Sequence, residues 1–310
     1  MFKLTCSLVS ALLFTVAISY SASAHCIVGN RFFPATLNVD DPCVNDELSF
    51  PTIAGFKNGD EPSSNELDIS GEYSKTITER FGISVGDTWV HLDEPRAWDH
   101  SGFDNLETSF KYQFIKRDEQ EFAFSAALDV DWGHTGSTSI GAEPFTTLTP
   151  TVFAGKGFGF LPDSMKFLKP FAVTAQLGYS IPTESSTEDS NNPQTFNWGG
   201  SVQYSMPYLK SSVQDLGLPP FLNRMIPLVE FNLSTQVANF DGGERTTGTM
   251  NPGVIYVADK YQVGVEAIIP VNRESGDGVG VIGQLHLYLD DILPNSLGKP
   301  LFSTRSQTGQ

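Results

Sequence analysis

Long apolar runs are scarce in this sequence of 310 residues, and after residue 24 no segment approaches 18 consecutive apolar residues. This argues against transmembrane helices, which need about 20 predominantly apolar residues. Basic residues are also few, because 19 Lys and Arg stand against 36 Asp and Glu, for a formal net charge of −17. Nucleic-acid binding requires a basic surface, so we expect no nucleic-acid partner.

Cysteine is limited to three residues, and the first of them lies in an N-terminal segment that resembles a secretory signal peptide. Residues 1–24 begin with a basic Lys3, continue with a short apolar stretch and end in the sequence ASA, which is typical of a cleavage site. We therefore predict export with cleavage of this segment. The two later cysteines, Cys26 and Cys43, are then free to form a disulfide in an oxidising compartment.

Motifs of catalysis are hard to find. The sequence has no H-E-x-x-H zinc motif and no phosphate-binding P-loop. His286 could belong to a Ser–His–acid triad, but any barrel with many lumenal serines would allow one. The segments DVDWGH and DEPRAWDH contain residues that can bind a cation, but a solvated lumen mouth or loop explains them more simply. We therefore expect no catalytic residue, no cofactor and no metal site, and we do not expect an enzyme.

What the sequence does contain is a regular alternation of apolar and polar residues. In the segment EFAFSAALDVDW, residues 121–132, apolar side chains occupy every second position and polar or small ones lie between them. Successive side chains of a strand point to opposite faces, so the two sets lie in two different environments. Ten further segments alternate in the same way, at about 67–77, 83–93, 106–114, 144–156, 171–181, 196–206, 229–237, 248–258, 261–271 and 279–289.

Most of these segments have the length that a tilted strand needs to cross a bilayer, about twice that of an ordinary globular strand. Their connections alternate between long polar loops and shorter turns, two of which have the pattern of short amphipathic helices. Outer-membrane barrels combine long external loops with short periplasmic turns in this way. We predict an all-β fold, a single transmembrane antiparallel up-and-down β-barrel of about 12 strands with short helical turns on the periplasmic side. A soluble β-sandwich, with the apolar face inside, is the alternative.

The start of the barrel leaves two interpretations open. Bacterial barrels have an even number of strands, so one further strand must precede residue 67, and the sequence RFFPATLNV at 31–39 is the working prediction for it. A strand there would place Cys26 and Cys43 at opposite ends, too far apart for a disulfide. In the other interpretation, residues 25–66 form a disulfide-tied plug in the lumen. The predicted organisation is a signal peptide at 1–24, this N-terminal segment at 25–66, the barrel at 67–302 and a tail at 303–310.

Polar residues on the face opposite to the apolar one are the predicted lining of the lumen, because a charged side chain on the lipid face is costly. The candidates are Glu107, Lys111, Gln113, Asp129, Asp131, Gln203, Glu230, Gln236, Glu266, Gln284 and His286. Acidic residues outnumber Lys111 in this set. Unless they pair across strands, they should favour cations over anions.

Several stretches of the sequence resemble a family of bacterial outer-membrane proteins related to the meta-pathway phenol-degradation transporters. The stretches are GNRFFPATLNVDDP, DELSFPTI, FGISVG, GFDNLETSFKYQF, KPFAVTAQLGYSIP and GQLHLYLDDILPNSLGKPLF. The resemblance extends over essentially the whole chain after residue 24. It implies a barrel in the cell outer membrane with a transport role, and it implies no catalytic residue.

Together these observations predict an outer-membrane β-barrel that acts as a passive channel or transporter for small solutes, of an aromatic or cationic kind. Its expected partners are outer-membrane lipid and the solute, and the sequence does not set the oligomeric state. A non-conducting barrel with a structural or surface-interaction role is the alternative. An outer-membrane hydrolase is a weaker one.

Overall fold

The computed structural model describes residues 25–58, 64–93, 98–187, 190–240, 242 and 245–302. The predicted signal peptide at 1–24 and the tail at 303–310 lie outside these residues. Within the described ranges, no helix combines the length and the apolar character needed to cross a membrane.

Twelve long strands form a closed antiparallel barrel, which confirms the predicted fold class and strand number. The fifteen strands of the described residues are β1 (Cys26–Val28), β2 (Arg31–Phe33), β3 (Glu47–Lys57), β4 (Asn65–Thr78), β5 (Phe81–Asp93), β6 (His100–Phe103), β7 (Leu106–Arg117), β8 (Phe122–Trp132), β9 (Thr147–Gly157), β10 (Phe171–Pro182), β11 (Gln194–Tyr204), β12 (Met225–Ala238), β13 (Thr246–Val257), β14 (Tyr261–Pro270) and β15 (Gly280–Tyr288). Strand β15 pairs with β3 and closes the barrel. The short β6 pairs only with the loop-end part of β5, and β1 and β2 form a separate hairpin.

The two faces of the barrel wall differ as the alternation predicts. On β8, Leu128 and Trp132 expose about two fifths of their surface to the outside, whereas Ala123 and Ser125 point inward and are fully buried. Phe114 on the neighbouring β7 is 54% exposed. Large apolar side chains that no other part of the protein covers are unfavourable in water and favourable next to hydrocarbon. This outer face therefore suits a bilayer.

The two ends of the barrel carry different connections. At one end, which we call the loop end, segments of 7 to 14 residues join β3 to β4, β5 to β7, β8 to β9, β10 to β11, β12 to β13 and β14 to β15. Three of the five connections at the opposite end have only 2 to 4 residues, and the other two have 13 and 20. At the other end, the turn end, the connections include the predicted helical turns. The helical segments at the turn end are Asp118–Gln120, Asp163–Leu168, Met206–Tyr208, Leu209–Val213, Leu222–Arg224 and Leu289–Ile292, and those at the loop end are Thr138–Ile140 and Arg273–Ser275.

The prediction of a barrel strand at 31–39 is wrong. Only Arg31–Phe33 is extended, and it pairs with Cys26–Val28 in the β1–β2 hairpin instead of with the barrel. The first strand of the wall is β3, which pairs with β15 and β4. Cys26 and Cys43 are joined by a disulfide, with their Cα atoms 5.4 Å apart, and this geometry is incompatible with an extended strand between them.

The sequence pattern hid β3 because its alternation is interrupted. Ser49 and Thr52 both point into the barrel, although strict alternation would place residues at odd and even positions on opposite faces. A register shift between these two residues accommodates Phe50 and Pro51, and it restores the alternation further along the strand. Proline lacks the backbone N–H that a strand donates, so Pro51 also argues against a strand when only the sequence is read.

Candidate functional site in the barrel lumen

The N-terminal segment 25–46, which we call the plug, occupies part of the barrel lumen. Its hairpin is tied to the following chain by the Cys26–Cys43 disulfide. Val28 and Phe33 of the plug form a buried apolar cluster with Ala123 and Ala172 of the wall. Small alanines on the inner face leave the space that the plug fills, so the plug and the wall share one core.

An arginine fixes the plug at the turn end. Nε of Arg31 lies 3.2 Å from a carboxylate oxygen of Glu121, and its Nη1 donates to the carbonyl of Pro170 at 2.8 Å. The guanidinium also lies 3.8 Å from the ring centre of Tyr208, whose hydroxyl donates to Glu121 at 2.8 Å. Burial lowers the pKa of Arg31, and burial together with the bond to Glu121 raises the pKa of Tyr208 to about 12. Every polar group of this contact therefore has a partner.

Two glutamates of the wall hold the middle of the plug. One carboxylate, that of Glu230, accepts the backbone N–H groups of Asn38 and Val39 at 3.0 and 3.1 Å. The side-chain amide of Asn38 lies 3.3 Å from both Glu230 and Glu266. Glu266 reaches this position across Gly253, where a Cβ atom would lie 2.3 Å from its Cγ. Glycine at this position makes room for the glutamate.

Further polar residues of the wall bind carbonyl groups of the plug. Gln113 and Ser125, on neighbouring strands, both donate to the carbonyl of Pro42. Gln262 donates to the carbonyl of Ala35. A segment without regular secondary structure leaves backbone groups that need partners, and the inward polar residues of the barrel supply them.

Above the plug lies a water-accessible cavity of about 820 Å³. Of the residues that line it within the described ranges, eight are Asp or Glu and two are Lys. Lys111 forms an ion pair with Asp40 of the plug. Asp129 accepts hydrogen bonds from Ser109 at 2.6 Å and Thr151 at 2.7 Å. The cavity is thus an acidic chamber with a few neutralised positions.

Ten of the eleven predicted lumen residues divide into two groups. Those that line the cavity are Glu107, Lys111, Asp129, Asp131, Gln284 and His286. Those that are buried nearer the turn end are Gln113, Gln203, Glu230 and Glu266, and three of these four bind the plug. Gln236 is half-buried near the loop end of β12. Sequence reasoning did not include Glu72, Asp87 or the plug residue Asp40, although the first two follow the same alternation on β4 and β5.

A serine, a histidine and a glutamate meet at the turn end of the cavity. The hydroxyl of Ser49 lies 2.8 Å from Nδ1 of His286, and Nε2 of that ring lies 3.3 Å from a carboxylate oxygen of Glu47. His286 is almost fully buried, and all three residues line the cavity. A hydroxyl next to an imidazole that is itself paired with a carboxylate is the arrangement of a nucleophilic triad.

The segment GISVG, residues 82–86, also matches the letters of a G-x-S-x-G nucleophile elbow. In the structure it lies within β5, whereas the elbow requires a sharp turn between a strand and a helix. Ser84 faces the cavity as one of several wall serines. The match to the motif therefore does not indicate that Ser84 is a catalytic serine.

No known family matches the sequence, and no curated protein is similar to it. The fold is similar to that of solved outer-membrane barrels. A COG4313 outer membrane channel from Pseudomonas putida F1 is 11% identical, with a TM-score of 0.52 over 83% of this chain and 99% of that one. The NanC porin is 10% identical with a TM-score of 0.46, over 76% and 97% of the two chains. LpxR from Salmonella typhimurium is 11% identical with a TM-score of 0.42, over 78% and 99%.

At such identities the likeness concerns the fold alone. The chain has the fold of an outer-membrane β-barrel, with a plug of its own N-terminal residues inside. The relation to the phenol-degradation transporters stays a prediction.

Proposed function

We propose that this protein is a channel of the cell outer membrane that passes small polar solutes and prefers cations. Its loop end faces the exterior and its turn end faces the periplasm, in keeping with the distribution of loop lengths. The observation that carries the proposal is the cavity of about 820 Å³ inside a closed barrel with an apolar outer face. A barrel filled completely by side chains would have no such space.

The charges of the cavity support a preference for cations. Glu72, Asp87, Glu107, Asp129 and Asp131 line it. Its two lysines, Lys75 and Lys111, each form an ion pair with an aspartate of the plug. The field inside is therefore dominated by carboxylates, and charged rings of this kind concentrate cations and repel anions.

Conductance in planar lipid bilayers tests the proposal. The protein should give discrete conductance steps, and a KCl gradient should give a reversal potential of the sign expected for K⁺ permeation. Fractionation with the outer membrane and heat-modifiable migration on a gel test the membrane barrel itself. A folded barrel in the outer membrane that shows neither steps nor solute-driven swelling of liposomes would be the non-conducting alternative, with a structural or surface-interaction role.

The contact of Ser49, His286 and Glu47 supports a second candidate, a hydrolase that cleaves small esters reaching the cavity. Oγ of Ser49 would attack the ester carbonyl carbon, and its proton would move to Nδ1 of His286. The resulting imidazolium pairs with Glu47, and the proton then passes to the leaving alcohol. Water hydrolyses the acyl-serine in the reverse sequence of steps.

A fluorophosphonate probe distinguishes this second candidate from a purely structural polar contact. The probe should label Ser49 in the folded barrel and should fail to label Ser49→Ala and His286→Ala variants. Ser84→Ala, a change at another serine of the same cavity, should leave the labelling unchanged. Absence of labelling in the unaltered protein, or equal labelling after Ser49→Ala, would remove the hydrolase.

A further inference from the structure

Most hydrogen bonds between the plug and inward side chains of the barrel wall lie on one side of the lumen. Its hydrogen bonds to inward side chains reach β7, β8, β10, β12 and β14, through residues such as Gln113, Gln176, Glu230 and Gln262. On β3, β4 and β5 the corresponding contacts gather at the turn end, where Asp46 accepts from Lys75 and from the backbone N–H of Thr76. The plug is therefore off-centre in the lumen.

The shape of the cavity follows this asymmetry. On β9 to β13 it is lined only by residues in the middle of the strands or nearer the loop end, such as Phe153, Gln176 and Asn232. On β15, β3, β4 and β5 it continues towards the turn end. The lining residues there are Glu47, Ser49, Glu72, Ser74, Lys75, Gly82, Ser84, Gly86 and His286. Glu72 is exposed within this part of the lumen, so water reaches it.

We infer that small cations cross the barrel beside the plug, along the inner face of β3, β4 and β5, while the plug stays bound. We call this route the side passage and define it by Ser49, Glu72, Ser74, Lys75 and Ser84. The inference rests on the proposed channel function and names its route and solute class. It does not require the plug to leave the lumen.

Two lysine–aspartate pairs lie along the side passage. Lys111 pairs with Asp40 where the upper chamber meets the plug, and Lys75 pairs with Asp46 near the turn end. Lys75 also donates to the carbonyls of Leu297 at 2.8 Å and of Lys299 at 2.7 Å. Each lysine thus has an aspartate partner. Between them on the wall, the carboxylate of Glu72, which accepts a hydrogen bond from Ser74 at 3.1 Å, offers oxygen atoms to a passing cation.

Side-chain volume is small along the route. Gly82 contacts the plug, since a Cβ atom there would lie 2.6 Å from a methyl carbon of Val44. Ser74 and Ser84 are cross-strand partners and both face the cavity. The glycine makes room for Val44 of the plug, and the two small serine side chains leave space in the cavity that larger side chains would occupy.

Cysteine accessibility tests the side passage. Ser74→Cys and Ser84→Cys place a thiol in it, and Ser125→Cys is the matched control because Ser125 is fully buried against the carbonyl of Pro42. Each folded variant is treated with a cationic methanethiosulfonate reagent, and modification is followed by mass and by conductance. We expect rapid modification of the first two variants, with a fall in current, and at least ten times slower modification of the control. A matching anionic reagent should react more slowly than the cationic one.

The mass readout separates the side passage from the channel function. Equal modification of all three variants would mean that the plug leaves the lumen, and no modification of the first two would mean that the side passage is closed. Either result overturns the inference. If the thiols are modified as expected but the unaltered protein never conducts, the channel function fails although the water-filled side passage exists, and the inference that cations cross fails with it.

A bulky side chain gives an independent measurement. Ser84→Trp should fill the side passage and reduce the conductance several-fold, whereas Val85→Trp, at the adjacent residue on the exposed outer face, should leave it unchanged. Heat-modifiable migration reports folding of both variants. Equal conductance of the two folded variants would contradict the route.

Discussion

Arg31 of the plug and Glu121 of the turn between β7 and β8 form an ion pair with Nε and Oε2 3.2 Å apart, and both side chains are almost completely buried. They are separated by 90 residues in the sequence. The pair therefore connects the N-terminal segment to the wall at a point where water cannot replace either partner.

Arg31→Met should destabilise the folded state by about 3–5 kcal/mol, because it leaves the Glu121 carboxylate buried without a compensating charge. Urea unfolding in detergent micelles measures the loss. Arg224→Met is the control, since Arg224 pairs with Asp259 on the surface and such pairs contribute about 1 kcal/mol or less. Similar losses in the two variants would argue against the anchoring role of Arg31.

Replacing both Cys26 and Cys43 by serine should loosen the plug and leave the barrel folded. In the chain-entropy description, a disulfide that closes a loop of this size lowers the entropy of the unfolded segment and thereby stabilises the folded plug by about 3 kcal/mol. In the folded state the backbone amides of Asn38 and Val39 donate hydrogen bonds to Glu230. In the variant these amide hydrogens should exchange with solvent faster than in the unaltered protein. Amides in the middle of β8 serve as the internal reference, and equal acceleration there would indicate general destabilisation.

Lys111→Met should increase the preference for cations several-fold, because the change removes a positive charge and leaves the aspartate at residue 40 unpaired. Asp129→Asn should shift the preference in the opposite direction. It keeps one of the two acceptor oxygens, because Ser109 and Thr151 donate to different oxygens of the Asp129 carboxylate. Reversal potentials in a KCl gradient measure both changes. Unchanged potentials in both variants would mean that the charges of the cavity do not control permeation.

The stability of the plug should fall as the pH rises towards 8. Burial, with the nearby carboxylates of Glu47 and Asp40, raises the pKa of Asp41 to about 8. The folded protein therefore holds a proton on Asp41 that the unfolded chain releases near pH 4. The stabilisation that this proton gives to the folded plug is complete below the pKa of Asp41 in the unfolded chain. It is lost as the pH rises through the pKa of Asp41 in the folded protein.

Asp41→Asn isolates this effect, because an amide oxygen can still accept the backbone N–H of Cys43, as the carboxylate does at 2.7 Å. Hydrogen exchange of the plug amides between pH 5 and pH 9, corrected for the intrinsic dependence of exchange on pH, should show a loss of protection in the unaltered protein. The variant should show a smaller loss. Parallel profiles would assign the pH dependence to other groups.

Much of the wall was predictable from the sequence because two different solvents act on it. Residues of β8 and β12 alternate between an apolar outer face and a polar inner face, and this pattern survives in the sequence as a period of two. β3 was missed because the register shift at Ser49–Thr52 and the presence of Pro51 interrupt the pattern. A local pattern cannot report a strand whose pairing is decided by its neighbours.

The site was predictable in part, for the same reason. Lumenal residues such as Glu107, Asp129 and Gln284 could be assigned to the inner face from their position in a strand. Whether such a residue would line the cavity or bind the plug could not be assigned. Glu230 binds the backbone of residues about 190 positions earlier, and no spacing in the sequence encodes that contact.

By itself, the sequence determined that strands of bilayer length would close into a barrel with an apolar exterior, because hydrocarbon and water select side chains at alternate positions. Only the tertiary structure decided that residues 25–46 lie inside the barrel and bind its inner wall. The physical reason is that the disulfide, the Arg31–Glu121 pair and the glutamate contacts join residues far apart in the chain, and their energies depend on three-dimensional proximity.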